Sequence, residues 1–196
     1  MRLEDVVYFS PEFKFSDLDF TNEEFLIRAF RDRIEGYYLK AAEDALAHDH
    51  FFACGLLCCS VIDLLADKVS GLPPGLWVHQ NIERFKTDKK LAIDFWICFR
   101  HGLSHEGRVK NLKKSVRSGQ FSCDFDQFVV AEDNMIVVNP RLLLQETRSA
   151  FDRFCSSDQK SSLVALLRRY FQPEAISITS SRVKREAKEK VASHGV

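Results

Sequence analysis

The chain has 196 residues, of which 45% are hydrophobic and 29% charged. That is the balance of an ordinary soluble globular protein with enough apolar material for a real core. Its 28 basic and 28 acidic residues cancel to a formal net charge of zero, which excludes a molecule-wide polybasic surface, so nucleic acid would have to be met by a local basic patch.

Taken in chain order, residues 1–20 read as irregular or short extended structure. Thr21 can serve as an N-cap, with Glu23 and Glu24 in the positive first turn of the helix that follows. Phe25, Leu26, Ala29, Phe30, Ile34, Tyr37, Tyr38 and Ala41 recur at helical spacing and predict a long amphipathic helix to about Ala47. A second helix, roughly Asp49 to Lys68, is apolar on most sides and is therefore expected to be central. Ser70-Gly71-Leu72-Pro73-Pro74-Gly75 ends it. Trp77 to Phe85 reads as a short third helix. Thr87-Asp88 caps a fourth, which carries Leu91, Ile93, Phe95, Trp96, Cys98 and Phe99 into Arg100.

After Gly107 the character changes. The stretch from Arg108 to Arg117 is basic, with Arg108, Lys110, Lys113, Lys114 and Arg117 and no acidic residue. Gln120–Phe125 and Phe128–Val130 read as extended, Glu132-Asp133-Asn134 as a turn, and Met135–Val138 as a hairpin partner. Asn139 as N-cap and Pro140 at the first helical position open another helix to about Phe154. Ser161 to Phe171 is expected to be the last, because apolar periodicity is lost beyond Pro173 and Arg182–Lys190 is a charged run expected to be frayed or disordered. The expected division is an N-terminal segment 1–20, a helical domain 21–172 with an insertion at about 108–138, and a flexible charged tail 173–196.

Six cysteines invite a disulfide or metal reading, but no C-x-x-C pair exists. Cys54, Cys58 and Cys59 lie within one apolar run, Cys98 sits among aromatics, and Cys123 and Cys155 stand alone. The acidic, weakly apolar first residues do not read as a secretory signal. Buried free thiols in a reducing cytoplasm are the expectation. The longest apolar run, from Phe51 to Ala66, is interrupted by Asp63 and too short to span a bilayer. His48, Asp49 and His50 lack a further partner of metal-ligand spacing and read as a surface turn, and no cofactor-binding motif is present.

The strongest chemical signal is Arg100-His101-Gly102-Leu103-Ser104-His105. Arginine presents a fixed fork of donors matched to phosphate oxygens, and histidine can both take and give a proton near neutral pH. RNA transesterification needs those services: a base for the 2′-OH, an acid for the departing 5′-oxygen, and a cation for the charge building on phosphorus. Five residues along an ideal helix leave Arg100 and His105 about 140° apart. Convergence on one straight helix therefore fails, and needs a distortion such as a kink at Gly102 or a second copy of the segment from another subunit. Ser104 is small enough to admit a phosphate, and Asp63, amid apolar residues, should be paired if buried, with Arg100 or His105 as a conceivable partner.

Arg100 to His105, with a polar residue directly after the arginine, resembles the R-[N/D/H]-x-x-x-H signature of HEPN domains (higher eukaryotes and prokaryotes nucleotide-binding), a helical family containing many RNases. The aromatic run Asp94–Phe99 before it and the segment His105–Lys110 after it are similar to prokaryotic members, and Ala53–Asp63 resembles the family's central helix, which commonly carries an acidic residue near the position of Asp63. The resemblance covers about residues 21–170. It implies a mainly α, HEPN-type helical bundle with a β-hairpin-like insertion after the motif helix, and a homodimer in which two motifs meet. In that site Arg100 would bind the scissile phosphate, His105 would be the acid/base, and His101, Ser104 and Asp63 would support them. The basic run would neutralise the RNA backbone, and neither metal nor cofactor is implied. The implied partners are RNA and, in a toxin–antitoxin setting, a cognate antitoxin such as a nucleotidyltransferase. A catalytically silent HEPN module that binds RNA, a nucleotide or a protein is the competing expectation.

Overall fold

The computed structural model describes residues 2–3, 6–100, 118–132, 135–156 and 160–193, with the side chains of Arg2, Leu3, Val69, Glu132 and 181–193 excepted. The architecture is mainly helical with a small three-stranded sheet, and the chain divides into two compact units, Met1–Arg33 with Asp158–Val196, and Ile34–Ser157. No described helix is long and apolar enough to cross a membrane.

In the first unit, β1 (Arg2–Leu3) and β2 (Val6–Val7) pair antiparallel, and a single 3-10 turn follows at Phe15–Asp17. Helix α1 (Glu23–Ile34) is capped by Asn22, whose side chain accepts the Phe25 N–H at 3.0 Å. Thr21, the expected cap, instead donates its hydroxyl to Asp19 at 2.6 Å. The correction is one residue and has a clear cause: Asp19 closes a local turn that takes the threonine out of reach of the helix. Phe9, Phe15, Ala29 and Ala175 form the unit's buried cluster. Phe9 stacks edge-on to Phe15 at 5.3 Å and to Phe171 at 4.9 Å, and Arg33 lies over the rings of both Phe9 and Phe171.

The last helix, α7 (Lys160–Ser193), belongs to the same unit and does not stop before Pro173 as expected. A proline inside a helix costs about 3 kcal/mol. Here burial of Ala175 and packing of Phe171 and Ile178 against the Phe9 and Phe15 cluster offset it.

The second unit is organised about α3 (Phe51–Asp63), which is apolar on nearly every side. Helices α2 (Lys40–Ala47), α4 (Pro74–Asn81) and α6 (Pro140–Ser156) pack on it. Wide π-type turns at Glu35–Leu39 fall inside the expected first helix, ahead of α2, and those at Leu64–Ser70 carry the expected second helix to Gly71, which lies in the left-handed region at φ 62° and ends it. The expected third helix divides into α4 and a 3-10 turn at Glu83–Phe85. Asp88 caps α5 (Lys89–Phe95) by accepting the Leu91 N–H at 2.9 Å. Asn139 caps α6 by accepting from Arg141 at 3.0 Å. Arg148 of α6 forks between Glu35 and Glu43, each at 2.7 Å.

The sheet has the order β3 (Ser118–Phe121), β5 (Met135–Val138), β4 (Val129–Glu132). β4 and β5 are the expected antiparallel pair, with Val130 opposite Val137. β3 runs parallel to β5, Phe121 opposite Val138, and ends there: residues 123–128 are bends, not the strand expected to Phe125. Ser122 and Asp124 turn the chain, their side chains hydrogen-bonded at 2.9 Å. A relay of rings, Phe128–Phe85–Phe95–Phe99–Phe121–Phe52, with neighbouring centroids 4.8–5.8 Å apart, ties this sheet to α5 and α3.

Gly55 of α3 is where the sheet comes closest. A Cβ added there would lie 2.2 Å from Cζ and 2.7 Å from Cε2 of Phe121. The ring cannot swing aside readily, since it is buried between Phe99 and Phe52. Helix propensity alone favours Gly55→Ala by about 1 kcal/mol, whereas overpacking costs about 1–3 kcal/mol. We expect Gly55→Ala to lower the urea midpoint, and Phe121→Leu in the same chain to recover part of the loss. A raised midpoint for the single variant would mean that the ring yields freely.

Candidate functional site

Asp63 is the last residue of α3 and is followed at once by the wide turns of Leu64–Ser70. Arg100 is the last described residue of a further wide-turned stretch, 96–100, that continues α5. The two residues meet. Arg100 Nη2 donates to Asp63 Oδ2 at 3.1 Å, with side-chain exposures of 25% and 36%. The pairing expected of Asp63 is therefore made with Arg100, and the exposures leave the pair reachable from solvent. A carboxylate holding one edge of a guanidinium fixes the plane in which its other donors lie. The arrangement can present a cation to an anion such as a phosphate.

The apolar residues around this pair position it. Phe95 and Phe99 stack at 5.1 Å and are fully buried, so the stretch ending in Arg100 is anchored by its aromatic face. Cys59, one turn before Asp63, is buried, and burial pushes its thiol up to about 12; the Asp63 and Cys54 charges add to this and the Arg100 charge opposes it. Cys58 is likewise raised, by its hydrogen bond with Cys54 and then by burial. Cys98 rises to about 11, through burial first and then the charge of Asp94. Asp94 is itself buried on α5, a carboxylate within the aromatic run that composition alone did not single out. Its signal was an acidic residue directly preceding Phe95-Trp96, within the aromatic run.

Of the residues expected to form the site, Arg100 and Asp63 are brought together. His101, Ser104 and His105 lie outside the described residues, as do Gly102 and the basic residues Arg108, Lys110, Lys113, Lys114 and Arg117. All six cysteines are free, five of them buried and Cys123 half-buried. Among the described residues no group of three or more His, Cys, Asp or Glu is placed to hold a metal ion. His48 and His50 stack face to face at 6.1 Å on an exposed turn, and His48 Nδ1 lies 2.8 Å from the Asp44 carbonyl oxygen. Comparison with protein-family models, with curated proteins and with solved structures finds no match to this chain.

Two expectations follow. A partly exposed ion pair contributes at most about 1 kcal/mol, so Asp63→Asn should shift the melting temperature by no more than a few degrees. A double-mutant cycle with Arg100→Gln should return a coupling within that range, and a coupling above about 3 kcal/mol would identify a fully desolvated pair. The thiols give a pH signature. A folded-state pKa above the ordinary 9.0 means that ionisation favours the unfolded chain, so Cys59 stabilises the fold fully below pH 9 and progressively less as pH rises toward about 12. Stability measured across this range should fall more gently in Cys59→Ala; an unchanged alkaline slope would remove Cys59 as its cause.

Proposed function

We propose that the chain is a metal-independent endoribonuclease of HEPN type, its site assembled from Arg100 and His105 at the junction of two identical subunits. The observation that carries the reading is the Arg100–Asp63 pair: the arginine of the motif is held by a carboxylate from the neighbouring helix while a quarter of its side chain stays exposed. The reading draws also on the sequence 100–105 and on the basic residues that follow it.

In this mechanism Arg100 binds the scissile phosphate and stabilises the negative charge gathering on its oxygens. Asp63 positions that guanidinium. His105 removes the proton of the 2′-OH, whose oxygen attacks phosphorus. The P–O5′ bond breaks, and the departing oxygen takes a proton to leave a 5′-hydroxyl and a 2′,3′-cyclic phosphate. Two copies of the motif across a dimer interface relieve the 140° separation that one straight helix imposes, because the acid and base can then come from different chains. His101 and Ser104 flank the phosphate, and Arg108, Lys110, Lys113, Lys114 and Arg117 neutralise the backbone beyond it. A toxin of this kind would be held in check by a cognate antitoxin such as a nucleotidyltransferase.

A second reading, a silent module that binds RNA or a partner, is favoured by the same pair seen from the other side. Arg100 is already engaged with Asp63, as a purely structural arginine would be.

The two separate in one assay. Purified protein incubated with total RNA in excess EDTA should produce cyclic-phosphate ends, with activity lowered at least about 100-fold in His105→Ala and Arg100→Ala. Cleavage that EDTA abolishes, or that survives both substitutions, excludes the mechanism. Intact RNA with tight, salt-sensitive binding selects the silent module.

A further inference from the structure

Away from Arg100, the first unit carries a groove that the proposed chemistry does not use. One wall is the face of α7 bearing Arg168, Arg169, Gln172, Pro173, Ile176 and Thr179; the other is Phe15, Leu18 and Phe20 of the segment before α1. A cavity of about 310 Å³ between the walls adjoins a wider opening of about 610 Å³ at the arginine end, and Gln172 and Ile176 line both. The α7 positions 169, 172/173, 176 and 180 recur at helical spacing, which makes the groove about 16 Å long, or three helical turns.

Its lining defines the occupant. The middle sets Phe15, Leu18, Phe20 and Ala175 beside the polar Ser16, Thr179 and Ser180, and Ile176 lies 60% exposed there, an unusual position for a large aliphatic side chain. A small apolar ligand would leave much of its own surface in water, whereas small-molecule sites bury some 70–90% of what they hold. A second helix laid along α7 would cover Ile176 and reach between Phe15 and Leu18. Charge then selects among helices. Arg168 is committed within its own unit, its Nε donating to the Phe20 carbonyl at 2.8 Å and Nη2 lying 3.7 Å from Glu23. Arg169, at the wide end, makes no ion pair among the described residues. Glu174, the one acidic residue of α7 between 160 and 185, lies about 140° around the helix from it.

We propose that this groove docks an amphipathic helix of a partner protein, with apolar side chains at successive turns filling the space between Phe15, Leu18 and Ile176 and a carboxylate on its flank pairing with Arg169. This is a helix-in-groove surface with an acidic preference. It stands whether or not the chain cleaves RNA.

The test uses the full chain and two synthetic helical peptides, alike in carrying Leu at i, i+4, i+7 and i+11. One bears Glu and the other Lys at the flanking positions. Fluorescence anisotropy should show saturable binding of the acidic peptide and at least about tenfold weaker binding of the basic one. Arg169→Glu should reverse that preference, and Ile176→Asp should abolish binding of both; each residue is exposed, so circular dichroism should show both variants folded. Equal affinity for the two peptides, no saturation by the acidic one, or a preference untouched by Arg169→Glu would overturn the proposal. So would displacement of the peptide by an equal concentration of dodecanoate, which would make the groove a lipid site. Loss of self-association in Ile176→Asp would also overturn it, making a second copy of the chain the occupant.

Discussion

Helix α3 has almost no polar face, and the second unit exists to cover it. Thirteen residues from Phe51 to Asp63 include six that are buried, and helices α2, α4 and α6 and the ring of Phe121 take up most of its circumference. A helix that is apolar nearly all round cannot stand free in water, and this one leaves only an edge uncovered, with Phe52 53% and Leu56 36% exposed. The unit therefore needs elements drawn from distant parts of the chain, the sheet among them. Gly55 is the point at which this demand is most stringent, because only a residue without a side chain lets an aromatic ring rest on the helix backbone.

The candidate site inherits its position from that burial. Asp63 interrupts the apolar run, and it receives Arg100 from a stretch whose own aromatic residues are buried in the same core. A charged pair at the margin of a hydrophobic cluster combines two properties that conflict elsewhere. The side chains are held by well-packed neighbours, yet enough water reaches them to keep their desolvation modest. The buried thiols behind the pair, at Cys58 and Cys59, are too reluctant to ionise to compete for the guanidinium at neutral pH.

Much of this was legible in the sequence where the cause is local. Asp88, Asn139-Pro140 and the Ser70-Gly71 stop act through groups one to three residues away, and the structure uses them as expected. The β4–β5 pairing follows from alternation about a short turn. The meeting of Asp63 with Arg100 was open as one of two choices, because a carboxylate in an apolar run must find a cation. What was not legible depends on partners far away in the chain. The parallel pairing of β3 with β5 has no signature in four residues, and α7 passes through Pro173 because Phe9 and Phe15 lie where its apolar residues come to rest. The Thr21–Asn22 exchange shows the finer limit: two good capping residues adjoined, and Asp19 decided between them.

The wide turns at Glu35–Leu39, Leu64–Ser70 and 96–100 give the helices a rotational phase that their residue count alone would not. Each holds the chain slightly underwound, as though one residue had been slipped into an ordinary helix. Wound as an ordinary helix, with none removed, the same five residues would turn Arg100 by about 100°, one residue's worth of rotation, from where it now stands. The aromatic anchors Phe95 and Phe99 could then no longer seat together with Arg100 against Asp63. The stretch acts as a keyed coupling: its length, as much as its composition, sets the direction in which the arginine leaves the core.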